Sequence, residues 1–88
     1  MRALELHRDA FDFMEKLGND AKKFRQVFTK VMSLLKEPRP NDSQELAGYF
    51  ELYRTDIGEF RIIYRYDDDK VYVDRIGKRN DDAVYRNL

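Results

Sequence analysis

Two helices are predicted in the first half of the chain, where apolar positions recur at steps of three and four residues. The first begins at His7 and ends at Gly18 and Asn19, residues that favour helix termination. The second is capped by Asn19 or Asp20 and ends before Pro38. Its apolar face is formed by Phe24, Val27, Phe28, Val31, Leu34 and Leu35. The pattern therefore predicts an α-helical hairpin.

Alternating apolar and polar residues predict β-strands on both sides of this hairpin. Residues 2–6 alternate weakly and form a candidate first strand. Further strands are predicted at residues 49–55, 59–66 and 70–76, and a short helix at residues 81–86. The order β-α-α-β-β-β indicates an α+β fold, in which the helical hairpin packs on one face of a small, mostly antiparallel sheet.

The alternation also predicts which side chains share a face of the sheet. A two-residue turn at Ile57 and Gly58 would place Arg54 opposite Arg61. One face, named here the core face, then collects Tyr53, Thr55, Phe60, Ile62, Tyr64, Tyr66, Val71 and Val73. The other, named the arginine face, collects Leu52, Arg54, Glu59, Arg61, Ile63, Arg65, Tyr72, Asp74 and Ile76.

The arginines on this face allow two interpretations. Opposed like charges destabilise a sheet, so Arg54 against Arg61 is a local conflict unless Asp56, Glu59 or a bound anion neutralises it. Local conflicts of this kind tend to mark functional sites. The alternative is an ordinary solvated surface with salt bridges, and the pattern by itself favours that alternative.

Composition limits the classes of function. A length of 88 residues indicates one domain, residues 1–88. The 17 basic and 17 acidic residues cancel, so an anion site has to be a local cluster. Because the chain has no cysteine, a disulfide and a thiolate zinc site are excluded. Since no signal-peptide core and no apolar run of about 20 residues is present, we expect a cytoplasmic protein without membrane contact.

Residues 45–86 combine several short motifs. They are Leu-x-Gly at residues 46–48, Tyr-Arg at 53–54, Gly-x-x-Arg-x-x-Tyr at 58–64, Gly-Lys-Arg at 77–79, and Tyr85. In combination this set resembles the RelE-type toxins of the RelE/ParE superfamily of bacterial toxin–antitoxin pairs. The resemblance covers the whole chain, although the helical half is generic, and it implies a single RelE-like toxin domain.

The resemblance implies a ribosome-dependent mRNA endoribonuclease that inhibits translation from the ribosomal A site. In this family the RNA 2′-hydroxyl attacks the adjacent phosphorus, without a metal or another cofactor. Such chemistry needs a base, cations that stabilise the charged phosphorane, and an acid for the leaving oxygen. The family supplies these largely with Lys, Arg and Tyr.

Four positions match catalytic residues of the family. Arg61 would stabilise the transition-state phosphate, and Arg79 would contact the same phosphate and promote departure of the leaving group. Tyr85 would stack on a base or transfer a proton, with a role in pinning the tail to the sheet as the alternative. Arg54 matches the first of two basic residues on its strand. The second position is Asp56 in this chain, which leaves the general base unassigned.

Other side chains carry weaker signals. Arg65, Lys78 and Tyr72 are candidate RNA-binding residues, since Lys78 follows a glycine that lets it swing over the arginine face and Tyr72 could stack on a splayed base. Some relatives use a glutamate near the Leu-x-Gly motif as the base, but Glu45 is one position out of step. Residues 67–69 are three aspartates, which we interpret as a solvated turn because contiguous carboxylates cannot all converge on one ion.

Two alternatives remain for the function. ParE-like toxins of the same fold inhibit DNA gyrase, although they lack the arginine and tyrosine set, and a degenerate toxin would only bind its antitoxin. All three candidate functions predict a cognate antitoxin that wraps across the sheet and the helical hairpin and masks the arginine face. The resemblance further implies a toxin–antitoxin hetero-oligomer that binds operator DNA through the antitoxin.

Overall fold

The computed structural model describes residues 1–80, which form two helices and one five-stranded sheet. In chain order the elements are β1 Ala3–Leu6, α1 Arg8–Leu17, α2 Ala21–Leu34, β2 Gln44–Glu45, β3 Tyr53–Ile57, β4 Phe60–Tyr66 and β5 Lys70–Lys78. The strand order is β1-β5-β4-β3-β2, and only the pair of β1 with β5 is parallel. Neither of these helices is long and apolar enough to cross a membrane.

The predicted α+β fold is confirmed, with two corrections. The sequence pattern misses β2, because two residues are too few to show a period. The prediction also starts β3 at residue 49, whereas the structure starts it at Tyr53. A positive φ angle of 61° at Glu51 explains the difference, since an extended strand cannot contain it. The helix predicted at residues 81–86 lies outside the described residues.

Both helices pack on the core face of the sheet. Asp20 caps α2 by accepting a hydrogen bond from the Lys23 amide at 3.2 Å, which fits one of the two predicted caps. The buried core combines one stripe of each helix with alternate residues of the strands. Its main members are Ala10, Met14, Val27, Val31, Leu34, Phe60, Ile62, Tyr64, Val71, Val73 and Ile76.

The β3–β4 hairpin turns at Gly58 and Glu59, one residue later than predicted. Gly58 has a φ of 57°, so it suits the first central position of a tight hairpin turn. The predicted turn would have put Ile57 at that position, where a β-branched side chain is strained. Backbone sterics therefore decide the position of the turn.

This turn changes the pairing of the strands without changing their faces. Asp56 lies opposite Arg61, and Arg54 lies opposite Ile63. The predicted pairing of Arg54 with Arg61, and with it the like-charge conflict, is wrong. The error amounts to two residues, and because side chains alternate with period two, every side chain of β3 and β4 stays on its predicted face.

A β-bulge in β5 reverses the alternation beyond its middle. The register shifts between Ile63 and Tyr64 of β4, which leaves Asp74 as the extra residue of β5. As a result Ile76, predicted on the arginine face, is buried in the core, and Arg75 pairs with Ile63 on the arginine face. The prediction for Ile76 is wrong because a strict period of two cannot reveal an inserted residue.

Tyr64 connects the sheet to the segment that follows α2. The side chain is fully buried, and its hydroxyl donates a hydrogen bond to the backbone carbonyl of Pro38. Burial raises the pKa of Tyr64 to about 12, so the hydroxyl remains a donor at any physiological pH.

We expect Tyr64→Phe to lower the free energy of unfolding by about 1–2 kcal/mol, because the Pro38 carbonyl would lose its buried partner. Urea denaturation followed by circular dichroism measures this change. Tyr66→Phe is the matched control, since Tyr66 lies on the same strand and face but its hydroxyl has no hydrogen-bond partner within residues 1–80. Equal destabilisation of the two variants would contradict the assignment.

Candidate functional site

Two arginines from separate segments contact one carboxylate on the arginine face, and a third arginine lies two residues from that carboxylate on the same strand. Arg61 on β4 donates two hydrogen bonds to Asp56 on β3, from Nε to Oδ1 at 2.8 Å and from Nη2 to Oδ2 at 3.1 Å. Arg79 follows β5 and places its Nε 3.8 Å from the same Oδ2. Arg54 lies two residues before Asp56 and is near enough to lower its pKa. These four residues are named the arginine cluster.

The sheet register positions the cluster. Arg61 lies between Asp56 on β3 and Gly77 on β5, and the glycine has no side chain to fill the space over the strand. Beyond Gly77, the Arg79 amide donates to the carbonyl of Glu59 at 2.9 Å. This bond ties Arg79 to the β3–β4 turn, next to the carboxylate that Arg61 holds.

The charges of the cluster are unequal. The hydrogen bonds from Arg61 are the main reason that the pKa of Asp56 lies below its usual value of 3.8, while burial opposes this shift and the nearby charges of Arg79 and Arg54 add to it. Within residues 1–80, the cluster therefore combines one negative charge with three positive charges. Because the side chain of Arg79 is 53% exposed, the surplus positive charge is open to solvent on that side. An incoming anion would meet a local positive field although the chain has no net charge.

Arg54 is held from the other side by a residue that the sequence pattern misses. Its Nη2 donates to Oε1 of Gln44 at 2.6 Å, and Gln44 lies directly opposite on β2. The same register pairs Glu45 with Tyr53, so Glu45 shares the core-face side of the sheet. The glutamate considered as a base is thus on the side away from the arginine cluster.

Arg65 and Tyr72 form a second group on the arginine face. The Arg65 guanidinium lies over the Tyr72 ring, 4.5 Å from its centroid, and 3.6 Å from Oδ2 of Asp74. The Tyr72 hydroxyl donates to Asp67 at 3.0 Å, and this bond raises the pKa of Tyr72. Since Arg65 is four residues from Arg61 along β4, the two groups are separated by roughly 13 Å.

The structure does not bring Lys78 to the arginine cluster. Lys78 pairs with Phe60, so the register places it with the core-face residues at the end of β5. The prediction relied on Gly77 to release the backbone, but β5 continues through Gly77 to Lys78, so the strand register sets the face of Lys78. Tyr85 lies outside the described residues, and its role stays a prediction.

The acidic turn between β4 and β5 satisfies its own backbone. The Asp67 carboxylate accepts hydrogen bonds from the amides of Asp69 and Lys70, both at 2.8 Å. Within the part of the chain that the structure describes, no group of three acidic or histidine side chains could hold a metal ion.

Sequence comparison identifies the family. The model of the ParE toxin of the type II toxin–antitoxin system parDE matches residues 2–83. The chain belongs to this toxin family. The predicted membership of the RelE/ParE superfamily is thereby confirmed. The matching model is that of ParE, the toxin type considered above as the alternative to RelE. A search of curated proteins with this chain found no sequence match.

Solved structures of related toxins share the fold of this ParE-family toxin. An arginine-to-alanine double mutant of Escherichia coli RelE in the free state superposes with a TM-score of 0.75 at 24% identity, covering 96% of this chain and 90% of that one. The toxin–antitoxin complex RelBE2 from Mycobacterium tuberculosis gives a TM-score of 0.73 at 21% sequence identity, covering 89% of this chain and 98% of that one. The RelE–RelB complex from Pyrococcus horikoshii gives a TM-score of 0.73 at 22% sequence identity, covering 90% of this chain and 96% of that one. At these identities the likeness establishes the fold.

We expect Asp56→Asn to destabilise the protein in a pH-dependent way. Because the pKa of Asp56 is lower in the folded than in the unfolded state, the ion pair stabilises the fold fully above about pH 5. That contribution is lost as the pH falls through the lowered pKa. The difference in the free energy of unfolding between the two proteins should therefore be constant from about pH 7 to pH 5 and shrink below about pH 4.

Urea denaturation at a series of pH values measures this difference. Asp12→Asn is the control, because it removes the same charge from an exposed pair with Arg8 on α1 and should change stability by less than about 0.5 kcal/mol. A difference between wild type and Asp56→Asn that stays constant down to pH 3 would show that the ion pair does not stabilise the fold.

Proposed function

We propose that this toxin is a metal-independent, ribosome-dependent mRNA endoribonuclease that inhibits translation. The RNA 2′-hydroxyl would attack the adjacent phosphorus, so that a P–O2′ bond forms and the P–O5′ bond breaks. The products are a 2′,3′-cyclic phosphate and a 5′-hydroxyl, to which the proton is returned. Ribosomes lie in the cytoplasm, and the reaction would take place there.

The contact of two guanidinium groups with one anion, with a third guanidinium group two residues along β3 from it, carries this proposal. The phosphorane has more negative charge than the phosphodiester, so donors placed around it stabilise the transition state more than the ground state. Arg61 would bind the non-bridging oxygens, and the exposed Arg79 would stabilise the developing charge on the 5′ oxygen. Arg54 would add a third positive charge at the edge of the site.

Two further assignments stay proposals. Tyr85 would stack on a base or transfer a proton, as its match to the family motif implies. The general base is unassigned, and Asp56 is a poor candidate because its lowered pKa makes it a weak base near neutral pH. Arg65 and Tyr72 would contact the RNA roughly 13 Å from Arg61, where they affect binding more than chemistry.

The test is to induce the toxin in cells and map the 5′ ends of mRNA. Arg79→Ala should reduce cleavage by about a hundred-fold or more, because one cation of the transition-state site is removed. Because the Arg79 side chain is exposed, this substitution should leave the protein folded, and circular dichroism checks that directly. The double variant Arg61→Ala with Arg79→Ala should abolish both cleavage and growth arrest. Arg25→Ala removes an exposed arginine of α2 and should cut as wild type does.

Full toxicity of the folded double variant would exclude these arginines from the reaction. The same experiment tests inhibition of DNA gyrase, the second candidate, which the match to the ParE model favours. That function predicts no new mRNA ends and a change in the supercoiling of plasmid DNA. A degenerate toxin predicts neither effect.

We further propose a cognate antitoxin as the partner. Two structures of relatives are toxin–antitoxin complexes. In this chain Phe24 and Phe28 stack with centroids 5.8 Å apart, and Phe28 is 43% exposed. Together with Gly18, Ala21 and Arg25 they line a groove of about 410 Å³ along α2. An antitoxin segment could fill this groove and continue across the arginine face, and the complex could bind operator DNA through the antitoxin.

We expect Phe28→Ser to weaken binding to the cognate antitoxin by at least about ten-fold, because an aromatic anchor of the groove is lost. Titration calorimetry with the purified pair measures this. Lys22→Ser is the matched control on the exposed side of α2, outside the groove. Unchanged affinity of Phe28→Ser would show that the antitoxin binds elsewhere.

A further inference from the structure

The Asp56 carboxylate lies where an anionic ligand of Arg61 would bind. Arg61 donates to it through Nε and Nη2, which are the N–H groups on one edge of the guanidinium. Arginine uses the same paired geometry for carboxylates and for phosphates. A phosphate that approaches this edge therefore competes with Asp56 for the same donors.

Within residues 1–80, Asp56 is also the carboxylate that contacts Arg79. Arg79 lies 3.8 Å from its Oδ2, a charge contact longer than a hydrogen bond. Arg54 contributes to the field that keeps the carboxylate ionised, while its own Nη2 is bonded to Gln44. The Asp56 side chain is 25% exposed, so a ligand can reach it from solvent and displace it.

We propose that Asp56 is an internal substitute for the substrate phosphate, which occupies the anion subsite of the ligand-free toxin and lowers its affinity for phosphodiesters. Binding then exchanges one anion for another, so the net electrostatic gain is smaller than it would be at a cluster without a carboxylate. The inference rests on the proposed function only in taking RNA as the ligand in the cell. The subsite itself is defined by the donors of Arg61 and Arg79.

The opposite role for Asp56 makes the opposite prediction. If the carboxylate served to orient Arg61 and Arg79 for the ligand, its removal would disorder the donors and weaken anion binding. An orienting carboxylate is expected to bind donors that the ligand does not use. Asp56 instead occupies the paired edge of Arg61, which is the edge best suited to phosphate.

The experiment measures the binding of inorganic phosphate to the purified full chain at low ionic strength by NMR titration. Removal of a unit negative charge a few ångströms from the bound anion should tighten binding to Asp56→Asn by about ten-fold or more. Asp12→Asn makes the same change of net charge on α1 and should bind phosphate as wild type does. Asp56→Ser is a second variant with a smaller side chain. In wild type, phosphate should also shift the carboxyl carbon signal of Asp56, a readout that needs no variant.

Tighter binding by either Asp56 variant, together with the wild-type carboxyl shift, supports the proposal. Equal or weaker binding by the folded variants would overturn it, and so would saturation with phosphate that leaves the Asp56 signal unmoved. A rise in affinity of Asp12→Asn equal to that of Asp56→Asn would also overturn it, since net charge would then explain the gain.

The result is independent of ribonuclease activity. Tighter phosphate binding without new mRNA ends would refute the proposed reaction and leave the role of Asp56 intact. Ribosome-dependent cleavage by wild type, combined with no gain in phosphate affinity for Asp56→Asn, would refute the role of Asp56 alone.

Discussion

The pairing of Asp56 with Arg61 across β3 and β4 is the interaction on which the candidate site depends. Burial of the core face restricts the hairpin to registers that differ by two residues, because any odd slip would turn the apolar side chains toward solvent. Among those registers the turn decides, and Gly58 accepts the positive φ that Ile57 would resist. One glycine thus determines whether Arg61 faces another arginine or a carboxylate, and so whether the strands repel or bind at this position.

Most of the fold follows from periodicity, whereas the details of the site do not. The two helices, the antiparallel strands and the faces of β3 and β4 are set by burial, which leaves a period in the sequence. The bulge at Asp74 and the short strand at Gln44 produce no periodic pattern in the sequence, because each involves one or two residues whose positions depend on neighbouring strands. For that reason the convergence of Arg54 and Arg61 on one face was predictable, but the partners of Arg54 and the true face of Ile76 were not.

Local arrangement explains how a chain without net charge can present a cationic site. Elsewhere in the described residues several carboxylates lie beside single basic side chains, as in the pairs of Lys23 with Glu59 and Lys30 with Asp42. At the arginine cluster one carboxylate of the described residues contacts two guanidinium groups and lies near a third. Since charges farther apart than about 10 Å are largely screened at ordinary ionic strength, an anion responds to the cluster and not to the sum over the chain. Net charge therefore says little about anion binding here.

On the proposed role of Asp56, stability and ligand binding oppose each other at one residue of the arginine cluster. Three guanidinium groups without a counter-ion would repel one another and weaken the sheet that holds them, and Asp56 relieves this repulsion. Arg61 donates two hydrogen bonds to this carboxylate, whereas Nε of Arg79 lies 3.8 Å from it, beyond hydrogen-bond distance, so this donor remains for a ligand. An internal anion that bound the arginines more strongly would stabilise the fold further and lower the affinity for phosphate. Without any internal anion the fold would be less stable and the affinity for phosphate higher. On the proposed role of Asp56, a basic residue at this position would favour phosphate binding, whereas the aspartate of this chain would favour the ligand-free fold.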